Sequence, residues 1–134
     1  MSTKTFTTSI DVRWRDLDAF NHVNNGTYLS YLEEARIRWF AQVGEPWVTE
    51  EFAPVIASST LNYREPVTYP ATLEIELFSE KIGSTSVVVG HRIKGADGRV
   101  RCDGNIAIVW IDLKTGRPRP LPEGVRRASE LLTG

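Results

Sequence analysis

An α+β fold, with one long central helix laid against an antiparallel sheet of five strands, is what three features of this chain predict. Tyr28, Tyr31, Leu32, Ala35 and Trp39 recur at the three-and-four spacing of a single helical face. Other runs, before and after that helix, alternate or carry the β-branched content of strands. Asp97-Gly98 is a strong hairpin turn between the last two.

The first strand shows in Phe6, Thr8, Ile10, Val12 and Trp14, which alternate with Thr7, Ser9, Asp11 and Arg13. A polar loop follows, holding Asp16, Asp18, Asn21, His22, Asn24 and Asn25, and its side-chain amides suit the capping of a first helical turn. In the helix itself Glu33, Glu34, Arg36 and Arg38 fall mainly off the apolar face, and Gly44 and Pro46 end it. A run of about sixteen residues makes about 24 Å of helix, enough to cross a small sheet. After a loop from Glu45 to Pro54, VIASSTLNYR reads as the second strand, with Pro66 and Pro70 marking a bend or bulge near its end. ATLEIELFSEKI then sets Leu73, Ile75 and Leu77 against Glu74 and Glu76, one face to a core and one to water. Gly83-Ser84 turns the chain into SVVVGHRIK, and Asp97-Gly98 turns it into VRCDGNIAIVWIDL. The last four strands read as an antiparallel meander. Thr115 to Pro122 is an irregular crossing, and Glu123 to Leu132 forms a short final helix. One helix covers only one sheet face, and Val87, Val89, Ile106, Ile108 and Trp110 supply further apolar surface. The sheet is therefore expected to pair, edge to edge or face to face, with another copy.

Composition narrows the function classes. The 134 residues are read as a single domain, 1–134, with 41% hydrophobic and 25% charged residues. A net charge of -1 and a pI near 6.1 give no global drive toward nucleic acid, and there is no helix pair of the DNA-binding kind. No run approaches the roughly twenty apolar residues of a membrane helix, and MSTKTFTTSI lacks the apolar core of a secretion signal. The expectation is a cytoplasmic protein, which agrees with a lone cysteine, Cys102. Asn25-Gly26-Thr27 matches a glycosylation pattern that has no use in that compartment. Two histidines and one cysteine form no familiar metal-ligand spacing, and Asp16-x-Asp18 runs on to Phe20 where a calcium loop needs oxygen. A Gly-rich phosphate loop and a serine nucleophile elbow are both missing.

The segment from Asp16 to Arg36, with its D-x-D, HVNN and Y-x-x-Y-x-E-E-A-R elements, resembles the hotdog-fold acyl-CoA thioesterases, in the branch related to hydroxybenzoyl-CoA thioesterase. The resemblance implies a sheet curled around the central helix, active sites at a subunit interface, and a homodimer or homotetramer. It implies an acyl-CoA substrate and no cofactor or metal, coenzyme A being part of the substrate. Asp18 then matches the catalytic carboxylate, and the backbone N–H near Asn25 matches the group that polarises the thioester carbonyl. The pairing is chemically sound, because thioester hydrolysis needs a carboxylate to attack or to deprotonate water, and a donor for the developing oxyanion. HVNNGTY stands where the hydroxybenzoyl enzyme has a more hydrophobic loop, which favours the fatty-acyl branch. Lys81, Ser84 and Thr85 fall near the turn that binds the nucleotide of coenzyme A, with Ser84 and Thr85 replacing basic residues.

Each of these residues has a plainer reading. An aspartate in a polar turn commonly bonds nearby backbone, and Asp16 is the rival of Asp18, a strand-end brace facing the same way in an extended chain. His22 offers an imidazole, the side-chain type suited to a general base near neutral pH, but a histidine that fixes the loop by hydrogen bonds serves as well. Asn24 and Asn25 suit caps, and Glu33 and Glu34 suit a solvated helix face. His91 and Cys102 lie on strands without partner spacing. The alternatives in function are an enoyl-thioester hydratase using His22 with Glu33 across an interface, and a non-catalytic acyl-CoA-binding module.

Overall fold

The computed structural model describes residues 4–134, and residues 1–3 of the stretch read for a secretion signal lie outside it. The chain runs β1 (Phe6–Asp11), α1 (Thr27–Ala41), β2 (Phe52–Tyr63), β3 (Thr72–Ile82), β4 (Ser86–Lys94), β5 (Val100–Asp112) and α2 (Glu123–Leu131). The five strands form one antiparallel sheet in the order β1-β3-β4-β5-β2. The α+β expectation therefore holds, with α1 at 15 residues and α2 as a second helix.

Helix α1 buries the face that its sequence period marks. Tyr28, Tyr31, Leu32, Ala35 and Trp39, joined by Phe40, are all buried. They meet Leu73, Ile75 and Leu77 of β3, Val87 and Val89 of β4, and Ile106, Ile108 and Trp110 of β5 in one core. Fully burying one such side chain stabilises by about 1.5–3 kcal/mol, so this face sets where the helix lies. Val87, Val89, Ile106, Ile108 and Trp110 are thus consumed within the protomer, at 3% exposure or less. They do not supply the surface for a second copy that their number suggested.

Three local expectations are corrected. Only β3, β4 and β5 form a meander, while β2 crosses to the far edge and pairs with β5. β1 already occupies the free side of β3, and the link 64–71 carries two prolines where a hairpin would need a tight turn. Trp14 is 75% exposed, because β1 stops at Asp11 and a short 3-10 turn, Trp14–Asp16, swings the chain away. Gly26 is the N-cap of α1, with no side-chain capping bond. Asn24 accepts instead from the Gly26 N–H at 2.9 Å.

The two sheet edges differ. On β1, the Arg38 guanidinium donates to the Ser9 carbonyl and the Thr8 hydroxyl, each at 2.8 Å, so a charged side chain covers that edge. On β2, Val55 through Thr60 are all exposed. Within the sheet Gly104, at φ +149°, allows the backbone of β2 to come close. A Cβ there would sit 1.9 Å from the Thr60 carbonyl oxygen.

Candidate active site

Between β1 and α1 the chain folds back on itself as a miniature hairpin. Leu17 bridges Val23, the Asp18 N–H donates to the His22 carbonyl at 2.8 Å, and the Asn24 N–H donates to the Asp16 carbonyl at 2.9 Å. Asn21, with φ 62°, takes the left-handed conformation that asparagine tolerates, and its N–H closes the turn on the Asp18 carbonyl. The link from β2 to β3 crosses beneath this hairpin and ties it to the sheet, since Val67 accepts from the Val23 N–H at 2.8 Å.

The Asp18 carboxylate is held on one side only. Its Oδ1 accepts from the Phe20 N–H at 2.8 Å and, more loosely, from the His22 N–H at 3.4 Å. Its Oδ2 has no protein donor among the described residues. The plain Asx-turn role and an available oxygen therefore coexist in one side chain.

Asn25 meets α1 with its amide unspent. The Asn24 carbonyl accepts from the Thr27 N–H at 2.9 Å, and in a trans peptide the N–H of Asn25 then points the opposite way, out of the first turn. Among the described residues this N–H has no acceptor. The Asn25 carbonyl in turn accepts from the Tyr63 hydroxyl at 3.1 Å. A free donor at a helix N-terminus is favourably placed for developing negative charge.

Asp18, His22 and Asn25 line one cleft of about 230 Å³, together with Tyr28, Tyr63, Arg64 and Glu65. Tyr63 packs edge-on against Tyr28 at 5.5 Å between ring centres. Burial first, then the neighbouring Cys102 and Tyr63, pushes the Tyr28 hydroxyl up to about 12, so it stays a neutral donor. The residues from the end of β2 escaped the sequence reading because only the crossover of β2 brings them to the loop. A larger groove of about 570 Å³ lies between β1 and α1 and is lined by Asp11, Arg13, Glu33, Glu34 and Arg38. It holds neither Asp18 nor Asn25. Glu33 faces that groove while His22 faces the cleft, so one protomer does not bring this pair together.

Asp16 lies apart from the cleft, 5% exposed. Its Oδ2 accepts from the Tyr31 hydroxyl at 2.7 Å and from the Arg13 N–H at 2.9 Å, and its Oδ1 faces the Arg13 guanidinium at 3.3 Å. Burial pushes its carboxyl up, but the Arg13 N–H, the Tyr31 hydroxyl and the Arg13 charge outweigh it and hold it below the ordinary value.

A family model described as the thioesterase-like superfamily matches residues 12–129 of this chain. The chain belongs to that superfamily. This thioesterase is 34% identical to the long-chain acyl-CoA thioesterase FadM of Escherichia coli, over 93% of its own length and 97% of that protein. It is 27% identical to the acyl-CoA thioester hydrolase YbgC of E. coli, over 93% and 96% of the two chains. The solved PA2801 protein of Pseudomonas aeruginosa superposes with a TM-score of 0.87 at 35% identity, covering 93% of the thioesterase and 98% of that chain. The strand order and the helix set against the sheet are accordingly those of a hotdog thioester hydrolase.

The thioesterase keeps Lys81, Ser84 and Thr85 at the other end of the sheet. The Asp18 hairpin adjoins the start of β3, where the Ala71 carbonyl accepts from the Val12 N–H, while Lys81 lies next to the last residue of β3, Ile82. The ten residues from Thr72 to Lys81 span roughly 30 Å of strand. The turn after β3 serves the docking of α2 as well. The Arg126 guanidinium donates to the Gly83 carbonyl at 2.9 Å, and the Leu121 N–H donates to the Ser84 carbonyl at 3.0 Å.

Proposed function

We propose that this thioesterase hydrolyses acyl-CoA to a free carboxylic acid and coenzyme A, with Asp18 as base or nucleophile and the Asn25 N–H as oxyanion donor. The observation that carries the reading is the cleft in which a half-held carboxylate and an unspent helix-terminal N–H stand together. Asp18 takes a proton from water as the oxygen adds to the thioester carbon, or adds to that carbon itself and is released by water afterwards. The carbonyl electrons move to oxygen, where the Asn25 N–H stabilises them. Collapse expels the thiolate of coenzyme A, which takes up a proton. These steps use the chain's own groups and call for no cofactor or metal.

The site is completed by a second copy in this proposal. β2 offers the uncovered edge, with Val55 and Ile56 exposed beside it, whereas Arg38 covers β1. Antiparallel pairing of β2 with the same strand of a partner turns the second sheet end for end. The Asp18 end of one protomer then lies beside the Lys81 end of its neighbour, so Lys81, Ser84 and Thr85 reach the nucleotide from across the interface. Cytoplasmic residence belongs to the same proposal. Among the described residues no helix is long and apolar enough to cross a membrane.

Release of free thiol from short, medium, long and aromatic acyl-CoAs tests the reading. Wild type is expected to release thiol, and Asp18→Asn to lose roughly 10²- to 10⁴-fold in kcat, the range of a positioned acid or base. Undiminished turnover in Asp18→Asn would remove its role. Tight acyl-CoA binding with no thiol released would favour the binding module instead.

A further inference from the structure

We infer that Asp16 is a positioning residue of this reaction, which fixes the miniature hairpin to α1 through Tyr31 so that Asp18 and the Asn25 N–H face one cleft. The inference rests on the proposed roles of Asp18 and Asn25. A hairpin this short has no core of its own, and an isolated pair of strands is marginal in water. Its two backbone ends, at Asp16 and Asn24, join through the Asp16 carbonyl at 2.9 Å. The side chain of the same residue reaches in the other direction, to Tyr31, one turn into α1. One residue therefore closes the base of the hairpin and sets its angle to the helix that supplies the oxyanion donor.

The donors explain why an oxygen acceptor stands here. Tyr31 and the Arg13 N–H converge on a single oxygen, in a site that water hardly reaches. An alanine would leave the Tyr31 hydroxyl and the Arg13 N–H without their partner, and each such buried loss is costly. An asparagine keeps an oxygen for both, with its amide turned toward the Arg13 guanidinium, which is 57% exposed and free to swing away. Both Asp16 oxygens are engaged and the carboxylate does not line the cleft, so it acts through the hairpin and touches no substrate.

The test compares Asp16→Ala, Asp16→Asn and Tyr31→Phe with wild type and Asp18→Asn, in thiol release and in backbone amide hydrogen exchange. Asp16→Ala and Tyr31→Phe are expected to lose about tenfold to a hundredfold in kcat with little change in KM, the effect of a small misplacement. Asp16→Asn is expected to stay near wild type. The double variant Asp16→Ala/Tyr31→Phe should be no worse than the poorer single one, because both break the same tie. Val125→Ala, in the buried face of α2 at the far end of the sheet, serves as a variant that loses stability without touching the hairpin, and its kcat should hold. Exchange at the Asp18 and Asn24 amides should quicken in Asp16→Ala and Tyr31→Phe, and stay slow in Val125→Ala. Full kcat in both tie-breaking variants, with Asp18→Asn inactive, would overturn the inference and leave the reaction standing. Asp16→Asn as inactive as Asp18→Asn would overturn it by giving Asp16 a chemical part. If wild type itself releases no thiol, the proposed reaction fails, and unchanged exchange at those two amides then overturns the tie independently.

Discussion

Asp16 and Asp18 are the same residue type two positions apart, and their surroundings separate them. Asp18 keeps one oxygen free in a solvent-reached cleft, whereas Asp16 spends both among donors in a buried pocket. The carboxyl of Asp16 lies below its ordinary value of 3.8, so the unfolded chain takes up that proton first on acidification. Its contribution to stability is complete above that value and is lost as pH falls through the lowered one. Asp16→Asn should therefore show a smaller drop in Tm below about pH 4 than wild type, in thermal scans across acid buffers. His91 acts over a higher range. It is 1% exposed with no hydrogen-bond partner for Nε2 among the described residues. Burial first, opposed by Asp103 and reinforced by Arg36, pushes it down to about 4 from 6.5. Between those values the unfolded chain binds a proton that the folded one refuses, so stability falls as pH drops from 6.5 toward 4, on the order of 3 kcal/mol in all. Replacing His91 with Gln should flatten that slope in urea titrations at successive pH values.

β2 connects the site to the rest of the fold at the scale of an element. It brings Tyr63 to the Asn25 carbonyl at one end, exposes Val55 through Thr60 in its middle, and leans on Gly104 of β5 across its inner edge. A methyl group at residue 104 would meet the Thr60 carbonyl, which is backbone and has no rotamer to retreat into. Gly104→Ala is expected to cost about 3 kcal/mol by overpacking, measured by denaturant unfolding. Because β2 would have to shift, Tyr63 should move with it, and kcat of the folded enzyme should fall as well. Unchanged stability in that variant would mean that β2 yields freely at this contact.

At the scale of the whole molecule, the proposed site draws Asp18 and Lys81 from two chains, because the two lie toward opposite ends of the sheet. Ultracentrifugation at dilute concentration should give at least twice the protomer mass of 15.1 kDa. Lysines placed at Val55 and Ile56 should shift that mass toward the protomer, since charge on an edge strand opposes pairing. A shared site also predicts complementation. In the proposed site Asp18→Asn protomers would lack the reacting group and Lys81→Ala protomers the nucleotide contact, so a mixed dimer would contain one site with both intact. Co-expression of the two should yield more turnover at low acyl-CoA than the average of the separate variants. Equality with that average would place both residues in one protomer's site and overturn the shared one.

The sequence by itself determined the class of fold, the helical face and the loop in which the reaction is proposed. Those signals are local: a 3.6-residue period, an alternation, an Asp-Gly turn, and a short motif running from Asp16 to Arg36. Backbone geometry alone translates each into structure. Tertiary structure decided what depends on contacts between distant segments. It sent β2 past β3 to pair with β5, and so brought Tyr63 and Arg64 to the loop. It buried Val87, Val89, Ile106, Ile108 and Trp110 under α1 and left Val55 through Thr60 on the outer strand β2 exposed. It also told Asp16 from Asp18, because local pattern places both in one polar turn, and only the position of Tyr31 fifteen residues away shows which carboxylate is already engaged.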